Sequence, residues 1–435
     1  MNTLASVAGK RSDDIESKVV KKIMLRILPF LMLGYFIAFM DRVNIGFAAV
    51  QMNASLGFTS AVYGVGAGIF FIGYFLFEVP SNLAMHRFGA RVWIARIMIT
   101  WGLISGLTVF VRGEYSFFII RFLLGMAEAG FFPGVVYYFS YWLLAKNRAK
   151  VLSVFYLAVP FAVVFGSLIS APLLMMHGLG GLEGWQWLFI IEALPAVILG
   201  VYLFFRLKDK PEQATWLDDE EKAWLTETLN NEKANLATPG QHRLGQVFSD
   251  PRVIKLSLVY FGMNFAGVGL IMFLPQIVAG FGSALSWVGV IAAIPYFVAA
   301  VLLPLIGRYS DRHPGNRAVH SGCSAAAVAI GLALCVFISH PVVMLLLICL
   351  AAVGIYAFAP PFWALCSNLF AGSASAEAIA VINSVGNLGG FAGPFVMGWL
   401  RDTTGSFAFS LLAIAAGPAL AAIGLELMKR RNTAG

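Results

Sequence analysis

Apolar stretches separated by short polar loops follow one another along the whole chain. Each stretch is about 18 residues or longer, which is enough for an α-helix to cross a hydrocarbon layer of ~30 Å. The pattern therefore predicts an all-α fold with twelve membrane-spanning helices. We place these helices at residues 25–50, 62–84, 93–111, 116–142, 151–175, 186–206, 253–280, 286–306, 318–338, 342–370, 378–400 and 407–428.

One long polar interval, residues 207–250, separates the first six predicted spans from the last six. Asp218 is followed three residues later by Glu221, a capping-box spacing that predicts a short helix from Asp219 to Glu232. The interval holds too few large apolar residues to build a core of its own. Its apolar residues, which we expect to lie on the membrane domain or on lipid headgroups, are Trp216, Leu217, Trp224, Leu225 and Leu229. The predicted domains are an N-terminal six-helix bundle at 1–208, a cytoplasmic linker at 209–250 and a C-terminal six-helix bundle at 251–435.

Composition and charge support an integral membrane protein. The 435 residues are 59% hydrophobic and 12% charged, against about 25% charged in soluble domains. Of the 30 Lys and Arg, only Arg112 and Arg401 fall in loops on the side opposite the N-terminus, and Arg42 and Arg121 lie inside predicted spans. Basic residues favour the cytoplasmic side. We therefore expect both termini in the cytoplasm and a multi-pass protein of the cytoplasmic (inner) membrane. The net charge of +8 is explained without a nucleic-acid partner.

The two halves carry related motifs, which predicts pseudo-symmetric bundles. A Gly-x-x-x-Asp spacing occurs at Gly307 and Asp311, near the end of the eighth span, and again at Gly398 and Asp402 in the eleventh. A small residue at a helix end lets two helices approach closely, and a charged group that follows it can hold them together. Internal duplication of this kind is common among transporters. The residues to which we assign a gating or structural role are Asp311, Arg312 and Arg317.

Two acids and two bases lie inside the first and fourth predicted spans: Asp41 and Arg42 in the first, Arg121 and Glu128 in the fourth. A charged side chain at the centre of a membrane costs roughly 2.5–3.5 kcal/mol even on a mild scale. Arg121 and Glu128 are two helical turns apart and share a face. Two acids and two bases can therefore form a near-neutral set around a shared aqueous cavity. The alternative is a static ion-pair network that only fixes helix packing.

The chemistry of these groups suggests a division of labour. An arginine stays charged and offers a planar fork that matches a carboxylate, so Arg42 and Arg121 suit an anionic substrate. A carboxylate removed from water takes up a proton more readily, so Asp41 and Glu128 suit proton coupling. Protons are then the coupling ion, and no cofactor is expected.

Other polar residues within the spans are weaker candidates for substrate binding, since each is explained almost as well by helix packing. They are Tyr74, Tyr260, Asn264, Trp363, Asn383 and Asn387. For Glu78 and Glu192 we favour packing or gating pairs over substrate contact. The four cysteines lack CxxC spacing and the six histidines lack ligand spacing, which argues against a metal site. No P-loop, dinucleotide fingerprint or nucleophile elbow is present, so we do not expect an enzyme.

Several stretches resemble known transporters over essentially the whole chain. They are "DRVNIGFA" from Asp41, "FEVPSNL" from Phe77, "FGARVWIARIMITWG" from Phe88, "RFLLGMAEAGFFPG" from Arg121, "WLFIIEALPA" from Trp187, "FLPQIV" from Phe273 and "NLGGFAGP" from Asn387. With twelve spans and a central loop, they resemble the major facilitator superfamily and, within it, the anion:cation symporter family of tartrate, phthalate and sugar-acid carriers. The resemblance implies proton coupling at Asp41 and Glu128, anion handling at Arg42 and Arg121, and a cavity position for Tyr74.

One departure from that family bears on the substrate. The middle of the fifth span, Tyr156 to Gly166, lacks the amide that sugar-acid carriers hold there, which favours a smaller or more apolar anion such as tartrate or an aromatic acid. Our hypothesis is a monomeric secondary active transporter that imports a small organic carboxylate with protons by alternating access. The alternatives are an anion exchanger or exporter, or a membrane sensor that does not transport.

Overall fold

The computed structural model describes residues 2–236, 249–370 and 373–433. These residues are almost entirely helical and contain no strands. The described residues include twelve helical segments that are long and apolar enough to cross a membrane. The predicted all-α membrane fold and its number of spans are therefore confirmed.

Spans 1 to 6 form the N-terminal half, and three of them are divided into two helices. Their helices are Asn2–Arg26 and Leu28–Leu56 in span 1, Ser60–Phe88 in span 2, Ala90–Leu107 in span 3, Glu114–Glu128 and Phe131–Phe139 in span 4, Ala145–Tyr156 and Ala158–Leu174 in span 5, and Gly184–Arg206 in span 6.

Spans 7 to 12 form the C-terminal half. Their helices are Pro251–Ala279 in span 7, Leu285–Arg312 in span 8, Arg317–Leu334 in span 9, Pro341–Leu369 in span 10, Ser373–Asn387 and Gly389–Thr404 in span 11, and Phe407–Thr433 in span 12. Because an even number of spans returns the chain to its starting side, we call the side with the N-terminus and the linker the termini end, and the other side the far end. Which end faces the cytoplasm stays a prediction.

The linker helix, Asp219–Leu236, packs on the N-terminal half. Its predicted capping box is present, because the backbone N–H of Glu221 donates to Asp218 at 2.8 Å and that of Asp218 donates to Glu221 at 3.1 Å. Lys22 of the first helix pairs with the same Glu221 carboxylate at 2.5 Å. Leu225 and Leu229 are buried, so the apolar side lies on protein. Residues 237–248 of the predicted linker lie outside the described residues.

Spans 2 and 11 join the two halves by contact between their backbones. A Cβ atom at Gly64 would lie 2.3 Å from the carbonyl oxygen of Pro394, and one at Gly398 would lie 2.0 Å from that of Ser60. Neither position has room for a side chain, so glycine is required for this approach. The halves also meet where Tyr63 donates a hydrogen bond of 2.8 Å to the carbonyl of Met272 in span 7.

Asp402 fastens the same interface at the far end. Its carboxylate accepts hydrogen bonds from the backbone N–H groups of Ser60, at 2.9 Å, and Ala61, at 2.6 Å. These are free N–H groups of the first turn of span 2, where the helix dipole also favours a negative charge. The Gly-x-x-x-Asp motif of span 11 is therefore a contact between the halves. At the related motif of span 8, a Cβ on Gly307 would meet nothing within 4 Å.

We predict that Asp402→Asn loosens the far end, because a carboxylate at a helix N-terminus contributes about 0.3–1 kcal/mol. The population of molecules whose halves are in contact at the far end should fall by roughly two- to fivefold relative to the population whose halves are apart there. Distances between spin labels at Tyr115 and Phe337 measure this, since both far-end side chains are exposed (83% and 79%) and belong to different halves. The control is Asp250→Asn, because Asp250 caps span 7 within its own half. An unchanged distance distribution in Asp402→Asn would show that Asp402 does not hold the two halves together at the far end.

Candidate functional site

An ion pair between Arg42 and Glu128 lies at the centre of the N-terminal half. Nη2 of Arg42 is 2.5 Å from Oε1 of Glu128, and Nε donates to the same oxygen at 2.8 Å. The Glu128 side chain is 1% exposed, whereas that of Arg42 is 18% exposed. The arginine is therefore the accessible member of the pair, and the carboxylate is buried behind it.

Aromatic rings surround the guanidinium of Arg42. Its Cζ lies 4.8 Å from the ring centroid of Phe39, 5.4 Å from that of Phe70 and 5.2 Å from that of Tyr74. The negative faces of such rings attract a cation, so they help to retain the charge in an apolar setting. The structure thus brings Tyr74 to the predicted anion-binding arginine.

Span 4 is interrupted directly after Glu128. Proline has no N–H, so Pro133 cannot donate to the carbonyl of Ala129, and Gly130 between them adopts a φ of +88°. The freed carbonyl of Ala129 accepts a hydrogen bond of 2.6 Å from the Ser81 hydroxyl of span 2. Irregular backbone inside a membrane requires such a protein partner. The bend holds Glu128 at a helix end next to Arg42.

Arg121 lies deeper than Arg42. It is 1% exposed, and its Nε and Nη2 donate to the carbonyl oxygens of Gly66 and Ala67 at 3.3 and 3.4 Å. Its Nη1 is buried without a hydrogen-bond partner. The structure therefore places Arg121 in the protein interior rather than at an accessible surface, and its predicted contact with substrate stays a prediction.

Asp41 is buried and has polar rather than ionic hydrogen-bond partners. Its Oδ1 accepts hydrogen bonds from the Ser105 hydroxyl and, at 3.1 Å, from the Asn44 amide. Its Oδ2 has no hydrogen-bond partner, although Arg121 acts on the carboxylate electrostatically. Asp41 and Arg42 are adjacent in sequence, yet they make contacts in different directions.

The C-terminal half contributes an aromatic and amide cluster. The Tyr260 ring lies 5.6 Å from that of Phe362 and 4.8 Å from that of Trp363, and the Tyr260 hydroxyl contacts Asn264. Tyr260, Asn264 and Trp363 are partly buried rather than sealed. They are therefore brought together as one cluster.

Span 11 places two further candidate amides beside this cluster. Asn387 is the last residue of its first helix, Asn383 lies one turn earlier, and both are partly exposed. A Cβ on Gly386 would meet the Tyr260 ring at 2.1 Å, which shows how closely span 11 approaches span 7. No contact in the structure assigns either amide a ligand, so their role stays a prediction.

The predicted gating residues lie at the termini end, away from this region. Arg317 donates to the carbonyl of Ala364 at 3.3 Å and so links the start of span 9 to span 10. Arg312 ends the helix of span 8 and is exposed. The side chain of Asp311 lies outside what the structure describes.

Sequence reasoning missed four tyrosines of this region. Tyr35 lies near Arg42, with its ring 6.1 Å from that of Tyr156. Tyr156 interacts across the halves with Tyr260 and Tyr356. The Tyr356 ring is 6.2 Å from that of Tyr296. Their scattered positions gave no motif, and the only signal in the sequence was the presence of tyrosine instead of phenylalanine at these positions of apolar helices.

No group of three or more His, Cys, Asp or Glu that could hold a metal ion occurs among the residues that the structure describes. The four cysteines are free, and three of them are buried in the C-terminal half. Charged groups of the candidate site include Arg42, Glu128, Arg121 and Asp41. They can bind an anion or a proton.

A family model described as Major Facilitator Superfamily matches residues 31–394. The chain belongs to the major facilitator superfamily. Among solved structures, it is similar to a bacterial homolog of the human lysosomal transporter Spinster in an inward-facing, occupied conformation. The TM-score is 0.75 at 17% identity, covering 94% of this chain and 97% of the other. That likeness concerns the fold.

Two relatives are similar in sequence over nearly their full length. A protein of Agrobacterium vitis named "Putative tartrate transporter" is 50% identical over 425 residues, covering 98% of this chain and 94% of the relative. A quinolone resistance transporter of Acinetobacter baumannii is 39% identical over 399 residues, covering 92% of each. The predicted family is thereby confirmed.

We predict that Ser81→Ala destabilises the protein, because it leaves one buried and one partly buried group unpaired. These are the carbonyl of Ala129 and the indole N–H of Trp93, which donates to the Ser81 oxygen at 3.0 Å. Each unpaired group costs about 1–3 kcal/mol, so the midpoint of thermal unfolding in detergent should fall. The control is Ser324→Ala, whose hydroxyl donates to a carbonyl one turn earlier in its own helix. Equal midpoints for Ser81→Ala and the control would show that the Ser81 hydrogen bond does not stabilise the break in span 4.

Proposed function

We propose that the chain is a secondary active transporter that takes up a small organic carboxylate, such as tartrate, together with protons. The observation that carries this proposal is the Arg42–Glu128 ion pair, whose arginine is accessible and whose carboxylate is buried. A buried charge pair in a membrane is expensive and marks function by default. We further propose that the protein works as a monomer in the cytoplasmic membrane by alternating access, with its termini in the cytoplasm.

Competition for Arg42 supplies the coupling. An ionised Glu128 occupies the Nε and Nη2 donors of Arg42. Protonation removes the negative charge from Glu128 and frees this edge of the guanidinium for the carboxylate of a substrate, which it can bind in a bidentate manner. Proton and anion then favour each other's binding, and this coupling is reciprocal.

Asp41 and Arg121 form the second acid–base set of the proposal. The Asp41 carboxylate and the Arg121 guanidinium interact electrostatically, and each has one buried atom without a hydrogen-bond partner, Oδ2 of Asp41 and Nη1 of Arg121. Protonation of Asp41 weakens this attraction and releases Arg121 for an anion that enters when the halves rearrange. Two protons per cycle would make uptake of a dianion electroneutral. With a monoanion, one positive charge would enter, and the membrane potential would add roughly 2.3 kcal/mol per 100 mV.

The C-terminal cluster is suited to the remainder of the substrate. Hydroxyl and amide groups at Tyr260, Asn264, Asn383 and Asn387 can bond the hydroxyls or second carboxylate of a small hydroxy acid, while Trp363 supplies an apolar wall. The relative of Agrobacterium vitis, at 50% identity, supports tartrate as the first compound to test.

A second candidate function is export or exchange of an organic anion or aromatic compound. The quinolone resistance transporter at 39% identity favours it, and the aromatic lining of the centre would suit such a compound. Proteoliposomes distinguish the two functions. A pH gradient that is acidic outside should drive accumulation of tartrate from a panel of carboxylates if the main proposal holds. Export would instead require the opposite orientation of the gradient.

We predict that Arg42→Ala abolishes uptake while the protein remains folded in the membrane. Removing one partner of a buried pair costs about 3–5 kcal/mol, and the substrate also loses its charged partner. Binding to purified protein and uptake into proteoliposomes measure the effect. The matched control is Arg112→Ala, because Arg112 is exposed at the far end and should leave both unchanged. Unaltered substrate affinity in Arg42→Ala would exclude this residue as the anion site.

We predict that Glu128→Gln loses pH-driven accumulation but keeps counterflow exchange. The amide cannot take up a proton, and it is neutral like the protonated acid, so Arg42 stays available to substrate. Asp41→Asn should act in the same direction. Vesicles loaded with substrate allow exchange and gradient-driven uptake to be compared for each variant. Wild-type accumulation by Glu128→Gln would return this carboxylate to a structural role.

A further inference from the structure

Glu192 is a buried carboxylate in span 6 that the proposed cycle does not use. It is 2% exposed. Its Oε1 accepts a hydrogen bond of 2.9 Å from the Ser170 hydroxyl of span 5, and its Oε2 has no partner. The other groups that act on it are Asn44 and Asp41 of span 1. The side chains that hydrogen-bond to it are therefore neutral, and the charged group that acts on it is another acid, Asp41.

Asn44 connects the two acids. Its amide nitrogen donates to Oδ1 of Asp41 at 3.1 Å, and the same side chain acts on Glu192. Asn44 and Ser170 are fully buried. Three acceptor atoms of this group lie buried without any donor: Oδ2 of Asp41, Oδ1 of Asn44 and Oε2 of Glu192. Buried polar atoms normally have a partner, so the group lacks a donor.

The balance of charge points the same way. The charged groups that face Asp41 are Arg42 beside it, Arg121 and Glu128 from span 4, and Glu192 from span 6. Arg42 is already neutralised by its ion pair with Glu128. One guanidinium, that of Arg121, is therefore left for the two carboxylates of Asp41 and Glu192. An excess negative charge in a buried site is costly, and a carboxylic acid avoids that cost by keeping its proton.

We propose that Asp41, Asn44 and Glu192 form a proton-binding site that holds one proton, separate from the Arg42–Glu128 pair. A proton on either carboxyl supplies the missing O–H donor and leaves one negative charge opposite Arg121. In the symport cycle this site would set how strongly Asp41 holds Arg121. That use rests on the proposed function, whereas the occupancy of the site does not.

Infrared spectroscopy of the purified protein in lipid tests the site without substrate or transport. A protonated carboxyl group gives a C=O stretching band that ionised carboxylates lack, and the band shifts in D2O. We expect Glu192→Gln or Asp41→Asn to remove one such band at neutral pH. Carbon-13 labelling of glutamate identifies which acid carries the proton. The matched control is Glu221→Gln, because Glu221 is a buried acid of the linker paired with Lys22 and its replacement should leave the band in place.

Two further variants keep the test decisive if either carboxyl variant folds poorly. Ser170→Ala removes the hydrogen bond to Glu192, and Asn44→Ala removes the connecting amide, so each should shift the band to higher frequency. The site is overturned if all four variants retain the wild-type carboxyl band unshifted. A failure of tartrate uptake would leave this result untouched, so the two proposals can fail independently.

Discussion

The energetic cost of a charge inside a membrane is the constraint on which the centre of this protein depends. Arg42 is retained there because Glu128 neutralises it at 2.5 Å and three aromatic rings face its guanidinium. Each charge must have a local partner, so a change in protonation at one carboxyl alters what its arginine can bind. The same property makes the site costly to build, and the proposed coupling to protons depends on it.

Breaks in the helices lie close to residues of the candidate site. Span 4 breaks after Glu128, and Ser81 of span 2 supports the break by bonding the carbonyl of Ala129. Spans 5 and 11 are also interrupted, after Tyr156 and Asn387. Residues at the ends of short helices can point into the space between the halves while the rest of each span packs in its bundle. The interruptions therefore place Glu128, Tyr156 and Asn387 at or next to helix ends.

Much of the fold could be predicted from sequence because hydrophobic length is a strong signal in membranes. All twelve spans were located, and the linker helix with its capping box at Asp218 and Glu221 was predicted from spacing alone. The broken helices were not, although Pro133 in span 4 carried the signal, because proline within a membrane helix is often tolerated without a break.

The charged residues of the candidate site were also singled out from sequence, but their pairing was not. Spacing places Arg121 and Glu128 on one face. Only the structure shows that Glu128 forms its ion pair with Arg42. Arg121 instead donates hydrogen bonds to the carbonyls of Gly66 and Ala67. The four tyrosines were not predicted as site residues, because a tyrosine in an apolar helix can equally be a residue of the packed core. Contacts between distant parts of the chain decide such roles.

The glycine contacts between spans 2 and 11 have a consequence for the free energy of the proposed alternating access. Where Gly64 and Gly398 meet the carbonyls of Pro394 and Ser60, the touching surfaces are main chain, which is already fixed by its helix. Closing an interface of long side chains would freeze rotamers at up to about 2 kcal/mol each. Here almost no side-chain entropy is lost when the halves meet or recovered when they part. Such a surface can form and separate many times with a small change in free energy.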